Sequence, residues 1–500
     1  MSGTPSLTAA VRSVLRQAID AYKDTGEAVT LRGLADRLDA PLRVAIAGKV
    51  KAGKSTLLNA LVGEEIAPTD EGECTQVVTW YRDGRSPCVT LHPHRGDPRR
   101  LVVRRAGGAL ALDLEGTPAS ATERLVVDWP SQRLRTMTLI DTPGIGSCSH
   151  DVSARTHTFL APDETPAAAD AVLYLMRHLY ATDIRFLESF QDNGQGRATP
   201  VNAIAVLSRA DEIGAGRIDA LFSAKRIAKR YRADPQVRRL CQTVVPVAGL
   251  LAQAGTTLRE AEYAALATLA HGERGDVEAL LLSADRFAHA EAPLGREERA
   301  ALLARLGLFG IRLSTTLIRR GVEGAGALAA ELVRRSGLDE LRQVLSTQFA
   351  ERRDLLKARA TLLALEQLLR TRPRAGIEPI MSEAERILAG AHEFAELRLL
   401  GTLRAGVLSL RQDELAEAER LLGGAGTGQA ARLGLDPSAP LAEWRAAALD
   451  ARDRWQRRAE SPLTTRPTAD ACRIVVRSCE GLLAALTADT TSERANQAAE

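Results

Sequence analysis

The chain has 500 residues, 45 % of them hydrophobic and 26 % charged, which is enough apolar content for roughly two to four packed domains and excludes a disordered polymer. A net charge of only +3 argues against a protein whose affinity rests on neutralising nucleic-acid phosphates, so no nucleic-acid partner is expected. The six cysteines form no Cys-x-x-Cys pair and no Cys/His zinc spacing, the pattern of reduced thiols in the cytoplasm.

The first forty residues are polar, without the apolar stretch of a signal peptide, and Val11, Val14, Leu15 and Ile19 recur at helical spacing. No run of about 18 apolar residues is evident, so no spanning helix is expected. From Leu42 to about Val247, apolar β-branched runs alternate with helix-length segments: 42–47, 76–81, 135–140, 171–176, 201–207 and 242–247. That alternation predicts a mostly parallel sheet with helices on both faces. Residues 82–134 read as an antiparallel excursion. Beyond about residue 255, helix formers dominate, broken at 371–379 and 421–440 by Gly and Pro, as in an all-α helical bundle.

The first chemical motif lies between the first strand and the helix expected from Ser55. Gly48-x-x-x-x-Gly53-Lys54-Ser55 matches a phosphate-binding loop made by Gly48, Lys49, Val50, Lys51, Ala52 and Gly53, with Lys54, Ser55 and Thr56 opening the helix. Its glycines let successive backbone N–H groups turn toward a phosphate, and the helix N-terminus adds partial positive charge. Three of the chain's seven lysines fall here, against 59 arginines in the whole chain. A compact ammonium at Lys54 fits between phosphate oxygens where a wide guanidinium does not. Ser55 offers a hydroxyl to Mg²⁺.

Later motifs select the nucleotide. "TLIDTPG" places Asp141 where it can bind the Mg²⁺ water shell and Gly144 where its N–H can sense a γ-phosphate. In "AVLSRAD", Ser208, Arg209 and Asp211 follow a strand. Asp211 can accept from guanine N1–H and N2–H₂, a donor pair that adenine lacks, while Arg209 has a planar head and an apolar stem to lay on the base. "VVPVAGL" brings Ala248 and Gly249 to the base edge, and Thr75 stands before a strand as a candidate ligand to Mg²⁺ and the γ-phosphate. Together these motifs imply GTP as substrate and Mg²⁺ as cofactor.

The order of these motifs, with "SRADEIGAGRIDA" the most specific stretch, resembles the bacterial dynamin-like GTPases, most closely the isoniazid-inducible dynamin-like proteins of mycobacteria and other actinobacteria. The resemblance covers most of the chain. It implies a P-loop GTPase domain over 40–345, N-terminal neck helices over 1–39, and a helical neck and trunk over 346–500. It also implies a nucleotide-dependent dimer with itself or a related GTPase, and peripheral work on an anionic phospholipid membrane at the inner face of the cell membrane. Eukaryotic dynamins position the attacking water with a Gln-Ser pair inside the loop; here those places hold Val50 and Lys51. Lys51 is therefore either a charge supplied to the transition state or a solvated loop lysine. At the helix break, Arg370, Arg372 and Arg374 with Ile377 and Ile380 are either a lipid-touching loop or a plain interhelical turn. The rival reading is a soluble regulatory GTPase switch acting on a cell-division or envelope-assembly partner.

Overall fold

The computed structural model describes residues 6–69, 76–106, 109–144, 169–189, 202–214, 216–404 and 406–497. Its strands are β1 (Leu42–Gly48), β2 (Thr79–Asp83), β3 (Cys88–Pro93), β4 (Arg99–Leu101), β5 (Arg104–Ala106), β6 (Ala109–Ala111), β7 (Thr122–Trp129), β8 (Met137–Asp141), β9 (Ala171–Met176), β10 (Ala203–Ser208) and β11 (Val244–Val247). Nine of them form one sheet in the order β11-β10-β9-β1-β8-β2-β7-β3-β4, and β5 pairs with β6. From β11 to β8 every pairing is parallel. Every residue of β9 and β10 is buried, which explains their unbroken apolar runs. The expected excursion over 82–134 does not stand apart. Through β7, parallel to β2, and β3, antiparallel to β7, it extends the same sheet at one edge.

This strand order positions the site. β1 lies between β8 and β9, so the loop after β1 and the C-terminal ends of β8, β9 and β10 share one sheet edge. Ile46 is paired with Asp141, and Gly48 with Leu175.

The N-terminal helices Leu7–Ala21 and Glu27–Asp39 bury Val11, Val14, Leu15, Leu31 and Leu38 against helices Arg353–Thr371 and Glu378–Gly390. The apolar core they form continues onto one face of the sheet. Lys357, buried, donates to the carbonyls of Arg37, Leu38 and Ala40, satisfying the otherwise orphaned C-terminal end of helix Glu27–Asp39. A π-helical turn, Ser346–Ala350, separates helix Leu338–Leu345 from Arg353–Thr371. Helices from His392 onward enclose their own core, in which Trp455, Cys472, Val475 and Cys479 are buried and Trp444 is half-buried.

One segment bears on the expectation that no helix spans a membrane. Among the described residues, helix Arg296–Arg319 is long and apolar enough to cross a membrane by length and composition. Its apolar residues have another explanation: Leu302, Leu306, Phe309, Ile311 and Leu317 are core residues, and the helix packs against Glu260–His271 and Gly249–Thr257.

Candidate functional site

The loop after β1 is held by sterics before any ligand arrives. A Cβ on Gly48 would stand 2.5 Å from the Leu175 carbonyl oxygen, so the close approach of β1 to β9 requires glycine. Lys51 adopts φ +62°, a left-handed conformation that costs a side-chain-bearing residue about 1 kcal/mol or more. Helix Lys54–Val62 then begins, its first-turn N–H groups facing the loop. Lys54 Nζ donates back across the loop to the carbonyls of Gly48 (3.4 Å) and Lys49 (3.3 Å). Burial pulls its pKa down, and the charge of Asp141 opposes that shift.

Ser55 and Asp141 meet as expected: Ser55 Oγ donates to Asp141 Oδ2 at 2.7 Å. Among the described residues, the other carboxylate oxygen, Oδ1, is buried and has no hydrogen-bond partner. Desolvation pushes the Asp141 pKa up, against the pull of Lys54 and Ser55. A shielded carboxylate oxygen with spare acceptor capacity, beside a hydroxyl and a lysine, fits a hydrated divalent cation. Thr142 Oγ1 donates to the Ile46 carbonyl (2.9 Å), tying this segment to β1. Gly144 then lies against the phosphate loop so closely that a Cβ would meet Val50 Cγ2 at 2.5 Å. The third expected metal ligand, Thr75, lies outside the described residues.

Next to the loop opens a cleft of about 110 Å³ lined by Ala52, Gly53, Thr56, Ser208, Arg209, Asp211 and Gly249, among others. Ala248 lies fully buried beneath, its N–H donating to the Ser336 carbonyl at 2.9 Å. Asp211 is 7 % exposed, and burial raises its pKa. Arg209 lines the cleft, but its head is engaged elsewhere than over a base. Nε and Nη2 donate to the Lys51 carbonyl at 3.1 and 2.9 Å, and Nη1 to Glu212 at 2.5 Å. Arg177 Nη2 donates to the same carbonyl at 3.3 Å.

Two features escaped sequence reasoning. The Lys49 side chain leaves the phosphate loop and ion-pairs with Asp183 at 3.2 Å. Arg177, like Arg209, holds the loop backbone. Asp183 reads in sequence only as an acid in the first turn of helix Ala181–Ser189, and nothing there announces a lysine 134 residues away.

Ile377 and Ile380, expected to enter lipid beside the arginines, are 3 % and 6 % exposed and belong to the core shared with the N-terminal helices. Proline at the start of helix Glu378–Gly390 made an amphipathic helix start look like a loop. Arg370 pairs with Glu366 and Glu385, and Arg372, with a 70 % exposed side chain, lies 3.9 Å from Glu27. Among the described residues, no group of three or more His, Cys, Asp or Glu side chains could hold a metal ion by itself.

Comparison with known proteins bears on the family of the chain. Residues 44–205 match the model of the dynamin family. The isoniazid-induced protein IniC of Mycobacterium tuberculosis is 43 % identical over 488 residues, covering 96 % of this chain and 98 % of that protein. A bacterial dynamin-like protein of Nostoc punctiforme is 30 % identical over 162 residues, covering 30 % of this chain and 22 % of that protein. A solved oligomerised bacterial dynamin pair, described as sensing and tethering membranes at long range, aligns at 15 % identity over 97 % of this chain and 81 % of its own. Its TM-score of 0.34 is too low to bear on arrangement.

Proposed function

The chain belongs to the bacterial dynamin-like GTPases, in the group of the mycobacterial isoniazid-induced proteins, and from that premise we propose that GTP is bound and hydrolysed along the sheet edge between Gly48 and Gly249. The observation that carries the assignment is the Ser55–Asp141 contact with its orphaned Oδ1, set across the phosphate loop from the buried Asp211. Ser55 and Asp141, with Thr75, would hold Mg²⁺. Held there, the ion would supply neutralisation of phosphate charge. Lys54 holds the phosphates, the Gly144 N–H meets the γ-phosphate, and Asp211 reads the base. Phosphate release from GTP should require Mg²⁺, stop on chelation with EDTA, and fail with ATP; turnover unaffected by EDTA would remove Ser55 and Asp141 from a metal role.

Lys51 is assigned to the transition state. Val50 has no polar group with which to orient water, and Lys51 is held beside it in a strained conformation by Arg209 and Arg177. Such strain persists where surrounding groups over-determine it. Lys51→Ala is expected to lower kcat by about two orders of magnitude while changing GTP affinity only a few-fold, as for an interaction made mainly in the transition state. Equal losses in affinity and rate would make Lys51 an ordinary phosphate ligand.

Dimerisation driven by nucleotide, with itself or a related GTPase, and peripheral membrane remodelling at the inner face of the cell membrane complete the proposal. Arg370, Arg372 and Arg374 are the lipid contact, each contributing roughly 1 kcal/mol near an anionic surface. Burial of Ile377 and Ile380 favours the second reading, a soluble switch acting on a cell-division or envelope-assembly partner. Co-sedimentation with anionic vesicles decides. Changing the three arginines to Glu should release the protein at moderate salt with basal turnover unchanged. A parent that binds no vesicles in any nucleotide state would establish the soluble switch instead.

A further inference from the structure

We propose that Asp183 and Tyr180 form a brace that positions the phosphate loop for hydrolysis by holding Lys49 outside it. The proposal rests on the phosphate-loop assignment above. The Asp183 carboxylate is 1 % exposed and carries three donors. Tyr174 Oη donates to Oδ1 at 2.6 Å, and the Tyr180 N–H (2.9 Å) and Lys49 Nζ (3.2 Å) donate to Oδ2. Tyr174 is itself fixed in the core by stacking on Phe186, with ring centroids 5.0 Å apart. The carboxylate is therefore rigid and satisfied, and the Lys49 ammonium also sits 4.2 Å from the centre of the Tyr180 ring, within range of a cation–π attraction.

Lys49 faces two ways. Outside the loop its ammonium is locked to Asp183 and Tyr180; inside, its carbonyl accepts from Lys54 Nζ at 3.3 Å. A shift of Lys49 thus displaces the partner of the lysine assigned to the phosphates. The same post-β9 segment grips the loop a second time, because Arg177 donates to the Lys51 carbonyl. Residues 177–183 in this way hold both ends of the stretch Lys49–Lys51.

Stability alone is a poor explanation for the pair. The Lys49 side chain is 39 % exposed, and ion pairs with a solvated partner add little to folding. Geometry is the better one, since a misplacement of about 1 Å around reacting groups can cost on the order of a hundredfold in rate. Lys49 and Asp183 are positioning residues here.

The test uses the full chain and GTP. Lys49→Met should lower kcat roughly ten- to a hundredfold with KM and GDP affinity nearly unchanged. Lys49→Arg, which keeps a cation for the carboxylate and the ring, should recover most of the loss. Tyr180→Leu should lose less than Lys49→Met. Lys49→Met combined with Asp183→Asn should be no worse than the poorer single variant, since both break one contact. If Asp183→Asn does not fold, the two partly exposed positions Lys49 and Tyr180 decide alone. Lys49→Met at the parent kcat, or no recovery with Lys49→Arg, overturns the brace. Lys54→Ala run alongside separates the failures: if it too keeps the parent rate, the phosphate-loop assignment is at fault, and if it alone is inactive, only the brace is.

Discussion

Lys54→Ala is expected to bring GTP turnover to background, a loss of about a thousandfold or more, with little or no loss of fold stability. Its ammonium is the one that spans the phosphate loop, 3.4 and 3.3 Å from the Gly48 and Lys49 carbonyls and close enough to Asp141 for their charges to couple. A preorganised cation in a shielded site stabilises developing phosphate charge far better than it would in water, and removing even one neutral donor of this sort costs about a hundred- to a thousandfold. The stability side follows from the direction of its pKa. Burial disfavours the charged form, so the folded loop holds the lysine at a cost that alanine removes. A phosphate-release assay and a thermal melt of the same variant check both halves. Parent-like turnover would mean that this loop is not where GTP is cleaved.

The loop, the Ser55–Asp141 contact and Asp211 were legible in sequence because each is fixed by a local pattern at the end of a strand. The parallel order β10-β9-β1-β8 then brings those ends together. What sequence reading missed depends on side chains meeting across that edge. Arg209 looked like a base-stacking residue, yet its guanidinium crosses to the carbonyl of Lys51, 158 positions earlier. Lys49 reads in sequence only as a member of the phosphate loop, and its ammonium goes to a carboxylate carried by the helix after β9. Periodicity has no access to either pairing. Helix Glu378–Gly390 failed for a different reason: a Pro-Gly break beside three arginines reads as a loop, although Ile377 and Ile380 are needed inward to cover the N-terminal helices. In Arg296–Arg319, the interior arginines Arg305 and Arg312 interrupt the apolar pattern, and Gly307, where φ is +62° and ψ 170°, breaks the helical geometry partway along.

Asp211→Asn is expected to exchange the base preference, weakening GTP binding by roughly a hundred- to a thousandfold and creating affinity for xanthosine triphosphate. Asp211 follows β10 in a short 3-10 turn entered through Arg209, whose φ is +52°. There it is 93 % shielded and lines the cleft beside Gly249. A carboxylate in that position accepts the two N–H donors of guanine. An amide offers one acceptor and one donor, so it leaves a guanine donor facing a donor, and unpaired buried groups make such discrimination a matter of a few kcal/mol. Xanthine replaces the amino group with a carbonyl, which the amide N–H₂ can meet. The unliganded protein should respond in the opposite sense. Because burial raises the Asp211 pKa above the ordinary 3.8, the folded state binds more protons than the unfolded chain between those two values, and stability from this group falls as pH rises through them. Asparagine has no such term, so the nucleotide-free variant should melt no lower than the parent at neutral pH. Competition binding of GTP, xanthosine triphosphate and ATP to both proteins tests the exchange. A parent that binds ATP as tightly as GTP, or a variant that keeps GTP affinity, would remove Asp211 from base recognition.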